Sequence, residues 1–571
     1  MNIDNDYIAE QFSLLAKLMD IHGENSFKTR SYSSAAFTIE KLPQPLTDMP
    51  PEKFTSIKGI GDAIGKKIQD IIRTGELPLL RQYIDNTPSG ILEMLKIKGL
   101  GPKKIATIWK EMGIESIGEL LYACQENRLL LYKGFGEKTQ QNVQDTIEFY
   151  MKHQGSHLYA DVEAYAQSIQ DLLTKAFPSD RLAITGDFSR HIETIDHLQW
   201  ITTTAPEALR SFFGTHEFTE ETGDTERSIS GIGHFKLSHF KGPEGVQMAF
   251  IHSGPETFVA IQLTTSSSEA FLEAWDQRTH WDKTRPWTSE EEVFKAVSLP
   301  YIPPFLREQP AILDDAARGP IPALIQPRDI HAIIHSHSTW SDGSQSLEEM
   351  AKACIQQGFE YLVISDHSKS AFYANGLNEE RIREQHQQID ELNRKLAPFV
   401  IFKSIECDIL NDGALDYSDN ILSTFDLVIA SVHSNLKMNE EKAMMRLLKA
   451  IENPYTTILG HMTGRLLLSR PGYPVNHEKI IDACAANQVV IELNAHPRRL
   501  DIDWRWIRLA LEKGVLISVD PDAHSVEGYK DVKYGTLAAR KGGLTPEKNL
   551  SSFGLQAFKD YLAARKKAKG I

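Results

Sequence analysis

Two short stretches of this 571-residue chain carry side chains at metal-ligand spacing: HSH at 335–337 and DAH at 522–524. In an extended strand, residues i and i+2 share a face. Each stretch therefore presents two candidate ligands side by side: His335 with His337, and Asp522 with His524. Five further groups sit in comparable settings: Asp342, His367, Glu406, His433 and His461. Nine such side chains exceed what one or two tetrahedral ions need, which implies a cluster of two or three divalent ions. Mixed imidazole and carboxylate ligands suit manganese, zinc or iron better than magnesium or calcium, and manganese is favoured here. The chemistry expected of such a cluster is hydrolysis, because bound ions lower the pKa of water and neutralise phosphate oxygens.

Seven apolar runs must position these groups: HAIIHSH (331–337), YLVISDH (361–367), VIFKSIECDI (400–409), LVIASVHS (427–434), TTILGH (456–461), VVIELNAHP (489–497) and VLISVDPDAH (515–524). They alternate with helical segments, which predicts parallel strands in a β/α barrel or doubly wound sheet. Each run ends in a histidine, an acid or both. In β/α barrels the C-terminal strand ends form the rim on which sites are built.

The first 155 residues read as amphipathic helices joined by short turns. Three turns share one pattern: KGIGDAIGKKI (58–68), KGLGPKKIATI (98–108) and KGFGEKTQQNV (133–143). Glycine permits the positive φ of such a turn, and the helix N-terminus beyond it directs free N–H groups at a phosphate. Residues 51–110 carry 11 Lys or Arg against 6 Asp or Glu, in a chain of net charge −15. A solvated helical face would also accommodate these charges, but the repeated lysine register favours contact with a DNA backbone. The candidates are Lys58, Gly59, Gly61, Lys66 and Lys67 in the first hairpin, and Lys98, Gly99, Gly101, Lys103 and Lys104 in the second.

Composition excludes other classes. No apolar run is long enough to span a bilayer. The acidic, polar N-terminus MNIDNDYIAEQF is unlike a signal peptide. Four scattered cysteines without CxxC spacing read as free thiols of a reducing compartment, so the cytoplasm is expected.

The glycine turns, with NSFKTRSYSSAA at 25–36, resemble the helix-hairpin-helix domains of a family X DNA polymerase. ITGDFSRHIETIDHL (184–198) resembles that family's palm entry, matching at Gly186, Arg190, Glu193 and Thr194. TSEEEVFKAVSLPYIPPFLRE (288–308) resembles its thumb end. At the three positions where the family has metal-binding carboxylates, this chain has His197, Gln199 and Ala249. IHSHSTWSDG, ISDHS, IECDI, ASVHS, LGHMTGR and PDAHS resemble the PHP (polymerase and histidinol phosphatase) family over about 330–570, with Ile333 and His496 as departures from its pattern. The resemblance as a whole is to a bacterial family X DNA polymerase with a C-terminal PHP domain.

The fold class implied is multidomain: a helix-hairpin-helix N-terminal region, an α+β nucleotidyltransferase-like palm and thumb, and a distorted, seven-stranded β/α PHP barrel. The domains fall at 1–88, 89–155 (fingers-like), 156–262 (degenerate palm), 263–317 (thumb), 318–329 (linker) and 330–571 (PHP). The resemblance assigns His335, His337, Glu406 and Asp522 to one ion. Glu406 bridges to a second ion held by His433 and His461, and Asp342, His367 and His524 hold a third. Glu406, His433 and Asp522 carry the catalytic metals, with a metal-bound hydroxide as nucleophile. Arg465 and Lys369 read equally as phosphate clamps or as ordinary rim charges. Lys67 matches the family's Schiff-base lysine for abasic sugars, and reads equally as a phosphate contact. The expected function is a manganese-dependent 3′–5′ exonuclease or 3′-end-processing enzyme of DNA repair, with the 3′ ends of gapped or single-stranded DNA as partner, monomeric and without polymerase activity. The alternatives are an active repair polymerase with exonuclease, a small-molecule phosphatase of the histidinol-phosphatase kind, and a non-catalytic scaffold for DNA ends.

Overall fold

The computed structural model describes residues 3–42, 44–97, 99–151, 155–242 and 245–571, and divides into two compact units, Met1–Glu148 and Phe149–Ile571. The first unit is helical, from Asn5–His22 to Glu137–Met151. Its three glycine turns have one geometry. Gly59, Gly99 and Gly134 adopt φ of +92°, +95° and +97°, a region open to glycine but costly for side chains with a Cβ. The apolar residue that follows, Ile60, Leu100 or Phe135, is buried. Its N–H donates to the carbonyl three residues back, that of Ile57, Ile97 or Tyr132. Gly61 and Gly101 then stand at the N-caps of the helices Asp62–Thr74 and Pro102–Ala106.

The second unit begins with a mixed sheet. Its strands are β1 (His157–Leu158), β2 (Leu182–Thr185), β3 (Thr194–Ile195), β4 (Leu198–Thr202), β5 (Thr219–Ile229), β6 (Gly233–Lys241) and β7 (Gln247–His252). β1 pairs with β3, and the other five run in the order β2-β4-β7-β6-β5. Only β4 and β7 are parallel, and their register sets Gln199 opposite Ala249. Helices from Phe258 to Arg318 close one face around Phe271, Trp275 and Phe294.

Eight short strands follow: β8 (Ala332–Ile333), β9 (Tyr361–Ile364), β10 (Val400–Lys403), β11 (Glu406–Asp408), β12 (Val428–Ser431), β13 (Thr456–Leu459), β14 (Val490–Asn494) and β15 (Ile517–Asp520). All neighbours are parallel, in the orders β10-β9-β8 and β11-β12-β13-β14-β15. The third apolar run thus forms two strands, interrupted at Ser404 and Ile405. Bridges join the sheets beyond both ends: His367 with Glu406, and Ser336 with Ala523. Alternate residues enter two separate cores. Tyr361 and Val363 pack with Phe402, Ile429 and Phe558, whereas Leu362 and Ile364 pack beneath the helices with Ile401 and Ala430. Strands buried on both faces need continuous apolar sequence, which is what these runs supply. The helices are bounded by strong local signals: Leu347–Gln357 starts in a Ser346/Glu349 capping box and stops at Gly358 with φ +86°.

The Pro-rich stretch 318–329 packs against this unit. Ile325 is buried and its N–H donates to the Leu544 carbonyl at 3.0 Å. No helix among the described residues is long and apolar enough to cross a membrane.

Candidate metal centre and comparison with known proteins

The ends of the parallel strands bring all nine candidate ligands into one buried region. His335 and His337 follow β8, Glu406 opens β11, His433 follows β12, His461 follows β13, and Asp522 and His524 follow β15. Two of the ligand positions are strained: His335 has φ +62° and Asp522 φ +52°, unusual for side chains with a Cβ. Strain of this kind persists where the surrounding structure holds a functional group in place.

Three groupings have ligand atoms within 4.8 Å of one another: His335, His337, Glu406 and Asp522; His337, Asp342, His367 and His524; and His367, Glu406 and His433. In the first, His335 Nε2 lies 3.4 Å from Glu406 Oε1 and 3.3 Å from Asp522 Oδ1, and His337 Nε2 lies 3.1 Å from Asp522 Oδ1. In the second, His367 Nε2 and His524 Nε2 are each 3.5 Å from Asp342 Oδ2. In the third, His433 Nε2 is 2.9 Å from Glu406 Oε1, and His367 Nδ1 is 3.0 Å from Glu406 Oε2. His461 Nε2 also reaches Glu406 Oε1 at 2.9 Å. Relative to the expected ligand sets, His337 and His367 are each shared between two groupings, and His461 meets the cluster through Glu406.

These spacings fit ions. Ligands about 2.1 Å from a tetrahedral centre stand roughly 3.4 Å apart. His335 Nε2, His367 Nδ1 and Glu406 Oε2 are buried without forming a hydrogen bond among the described residues, although carboxylate oxygens or imidazole nitrogens face them. Buried polar atoms are seldom left so, and divalent cations would satisfy all three. With no cation bound the histidines divide: burial favours the neutral ring, but Asp522 and Glu492 hold His335, and Asp342 and Glu406 hold His367, well above the ordinary value. Burial, with His524 and His367 beside it, pushes His337 down to about 3, leaving the neutral imidazole a metal needs. Burial opposes ionisation of Glu406, but His433, His335 and His367 hold its carboxyl well below the usual range. His433 is the converse: burial favours the neutral ring, yet Glu406 and Asp408 raise it to about 9 when no cation is bound.

A ring of polar groups that the sequence reading passed over orients these ligands. Glu492 accepts from His335 Nδ1 and, at 2.6 Å, from the His461 backbone N–H. Asp408 lies 2.5 Å from His433 Nδ1, and Asn494 donates to Asp522 Oδ2 at 3.0 Å. Asp366 accepts from the N–H and Oγ of Ser338 and of Ser341 and from Gln385, fixing the loop that presents Asp342. A carboxylate inside an apolar run, as in VVIELN, is the signal that could have singled out Glu492. Glu492→Gln is expected to weaken binding of divalent cations at the cluster by about 10- to 100-fold, the usual cost of losing a ligand's hydrogen-bonded partner. A manganese titration of the variant checks this.

The two candidate phosphate clamps are engaged elsewhere. Arg465 donates to the carbonyls of Arg499 and Leu500 and, at 2.5 Å, to Asp503. Its guanidinium therefore braces the 499–503 loop instead of standing free at the rim. Lys369 donates to Glu379 at 2.8 Å and lies over the Tyr417 ring. Arg499 is buried, with Nε 3.8 Å from Asp522 Oδ2. His496 is half-buried, and burial with Arg498 and Arg499 pushes it down to about 3.

In the middle region, His197, Gln199, Gly186 and Arg190 line a cleft of about 550 Å³. Asp196 is turned away and accepts from Ser156 Oγ at 2.6 Å, so a shift of one residue does not bring a carboxylate into the cleft. The Gln199 side chain lies against Gly186, and Ala249 is its neighbour on β7. Among the described residues, all three groupings of metal-ligand type lie in the C-terminal region.

In the first unit, Lys58, Lys66 and Lys103 are exposed. Lys67 is half-buried, its ammonium 3.4 Å from the Ala63 carbonyl and 5.9 Å from the Tyr32 ring centre. Lys104 donates to the Gly99 carbonyl at 3.3 Å, tying the hairpin to its helix. Lys98 lies outside the described residues.

Comparison with known families places a helix-hairpin-helix domain at residues 3–77, a SAM-like helix-hairpin-helix tandem at 91–148 and a PHP domain at 334–496. The DNA polymerase/3′-5′ exonuclease PolX of Bacillus subtilis is 31% identical over 558 residues, which covers 96% of this chain and 97% of that protein. The chain belongs to the bacterial PolX family. Shorter relatives match part of this PolX-family chain. A probable phosphatase of Thermoanaerobacter is 26% identical over 247 residues, 41% of this chain and 96% of its own length. Another, of Acetivibrio thermocellus, is 31% identical over 172 residues, 28% of this chain. The buried clusters fit a multi-metal PHP site.

Proposed function

We propose that this PolX-family protein is a DNA-binding, metal-dependent phosphodiesterase, acting as a manganese-dependent 3′–5′ exonuclease or 3′-end-processing enzyme in DNA repair, and that it no longer adds nucleotides. The observation that carries the hydrolytic half is the convergence of nine His, Asp and Glu side chains on three mutually close groupings. The exonuclease named for the Bacillus subtilis relative, which aligns along nearly the whole chain, supports DNA as substrate over a small phosphate ester. In this reading residues 156–262 are a degenerate palm, 263–317 a thumb, and 330–571 a closed barrel of seven strand runs, with 1–88 and 89–155 as two hairpin domains and 318–329 joining thumb to barrel. The protein acts as a monomer in the cytoplasm.

Manganese ions held by the nine ligands would supply an ionised water at neutral pH and charge neutralisation at the scissile phosphate. The chain's own residues do the rest. Glu406 and Asp522 provide the anionic charge that concentrates the cations at the strand ends. Glu492 and Asp408 fix the tautomers of His335 and His433, so that Nε2 of each is directed at the cluster. Arg499, buried beside Asp522, stands where a phosphate oxygen would be met. The middle cleft is lined by Asp187, Glu269, Glu273 and Asp276, but none stands at the positions of His197, Gln199 and Ala249, where two-metal phosphoryl transfer needs carboxylates.

The deciding assay is degradation of 5′-labelled single-stranded DNA across manganese, zinc and magnesium. Shortening from the 3′ end supports the proposal. Faster turnover of histidinol phosphate or of a mononucleotide would favour a phosphatase, and DNA binding without hydrolysis under any metal would favour a scaffold. Lys67 extends the reading to abasic sugars: borohydride trapping on an abasic-site gap that yields no adduct, or one unaffected by Lys67→Ala, removes that activity. The hairpins make a separate prediction. Replacing Lys66, Lys67 and Lys103 together by Ala is expected to weaken binding of single-stranded DNA and to lower the slope of log affinity against log salt by roughly 0.7 per lost contact, as anisotropy titrations would read.

A further inference from the structure

The segment between two candidate ligands, His367 and Glu406, opens with a loop whose ends meet beside the first of them. Leu377 N–H donates to the His367 carbonyl at 2.9 Å, and Ser368 N–H donates to that of Glu406 at 3.1 Å. A Cβ on Gly376 would collide with the Ser368 carbonyl, so the loop closes as tightly as glycine allows. Ser370 donates to Asp416 from both its N–H and its Oγ, at 2.6 and 2.5 Å. The Lys369 N–H donates to the Tyr417 hydroxyl at 3.0 Å, and that hydroxyl donates to the Leu377 carbonyl. Ala371 and Ala374 are fully buried. The far side of the loop is fixed as well. Asn375 donates to the Trp340 and Ser341 carbonyls at 3.3 and 3.5 Å, directly before Asp342, and Arg381 donates to the carbonyls of Trp340, Asn375 and Gly376. The tip of this anchored loop nevertheless presents an apolar ring to water. Phe372 is 80% exposed, and the half-buried Tyr373 meets it edge-on with ring centres 5.8 Å apart. Asn375 N–H donates to the Phe372 carbonyl at 3.2 Å, which ties Phe372 to the segment next to Asp342. Five residues along the chain from His367, its Cα lies within about 18 Å of that residue's. Its exposed neighbours along the loop, Lys369, Asn375 and Asn378, are polar, unlike the contiguous apolar patch that a protein partner needs. An aromatic ring on a rigid loop, with a lysine three residues before it, is the arrangement on which bases of an unpaired strand stack.

We propose that Phe372 stacks on a base of the DNA strand entering the candidate metal centre, and so selects an unpaired strand over a duplex. The inference rests on the proposed nuclease activity and names the residue that would give it strand specificity. Bases inside a duplex are already stacked on both faces, whereas an unpaired end leaves a face free for the ring. Because the loop is anchored at both sides, the ring is placed without the cost of ordering a mobile segment.

The test uses the full-length protein, manganese, and single-stranded DNA whose 3′-terminal linkages are phosphorothioates, which slow cleavage. 5-Iodouracil is placed at each of the 3′-terminal nucleotides in turn and photo-crosslinked. The tryptic peptide Ser370–Arg381 is expected to carry an adduct on Phe372 from at least one position, and to lose it when that end is annealed to a complement. In turnover assays on unmodified single strands, Phe372→Ala should lower kcat/KM by about tenfold, and Phe372→Trp should restore it. With the ring 80% exposed, both variants leave the anchors of the loop in place. A strand made abasic at the crosslinking position should be cut about tenfold more slowly by the wild type, with no further loss in Phe372→Ala. Absence of the adduct on Phe372 overturns the inference, whether or not the DNA is cut. So does an adduct that persists on the duplex end, or a Phe372→Ala loss equally large on the abasic strand. An adduct formed by a wild type that does not shorten DNA would remove the nuclease reading and leave the stacking contact standing.

Discussion

Glu406→Gln is expected to reduce manganese-dependent release of nucleotides from single-stranded DNA by about 10³-fold, or about 4 kcal/mol of transition-state stabilisation. Glu406 belongs to two of the three groupings, and its oxygens lie 2.9–3.5 Å from nitrogens of His335, His337, His367, His433 and His461. Glutamine keeps the shape but removes the buried negative charge around which these imidazoles gather, and it presents an N–H₂ donor where a cation should sit. The variant should therefore bind fewer manganese ions per chain by elemental analysis, as well as cut more slowly. DNA affinity of the hairpin unit should be unchanged, since none of its lysines contributes to the cluster. A variant that retains a tenth or more of wild-type turnover with full metal content would show that the nuclease centre lies elsewhere.

The second large effect is an absence. In primer extension with magnesium or manganese, nucleotide incorporation should not exceed that of a blank without protein. Metal-ion catalysis contributes many orders of magnitude to phosphoryl transfer, and hard cations require carboxylate oxygens in near-octahedral array. At the three expected positions the chain offers an imidazole, a carboxamide and a methyl group, and Asp196 is occupied with Ser156 outside the cleft. Template-dependent extension by pure protein would overturn this reading and restore the active-polymerase alternative.

The candidate metal cluster was legible because its side chains obey local rules. HSH and DAH place two ligands on one face of an extended segment, and every apolar run ends in a histidine or an acid. The hairpins were legible for the same reason: their backbone geometry follows from two glycines and one apolar residue within four positions. Other features depend on partners far away in the chain. Arg465 has the sequence context of a rim cation, yet each of its three side-chain nitrogens bonds to Asp503 or to a carbonyl of a distant loop. Glu492 reads as an acid in an apolar strand until His335, 157 residues earlier, is seen to bond it. Likewise the third apolar run reads as one strand, but its pairing splits it, Val400–Lys403 onto β9 and Glu406–Asp408 onto β12.

Sequence by itself determined the kinds of chemistry available: which residues carry nitrogen and oxygen ligands, where glycine admits a left-handed turn, and that positions 197, 199 and 249 carry no carboxylate. These are properties of single residues and of spacings within one strand or turn. Only the tertiary structure decided how the candidate ligands group, and that Arg465 and Lys369 are engaged by neighbouring carboxylates and carbonyls. Those outcomes depend on burial and on contacts across more than a hundred residues. There the cost of leaving a polar group without a partner, rather than any local propensity, settles where each side chain points.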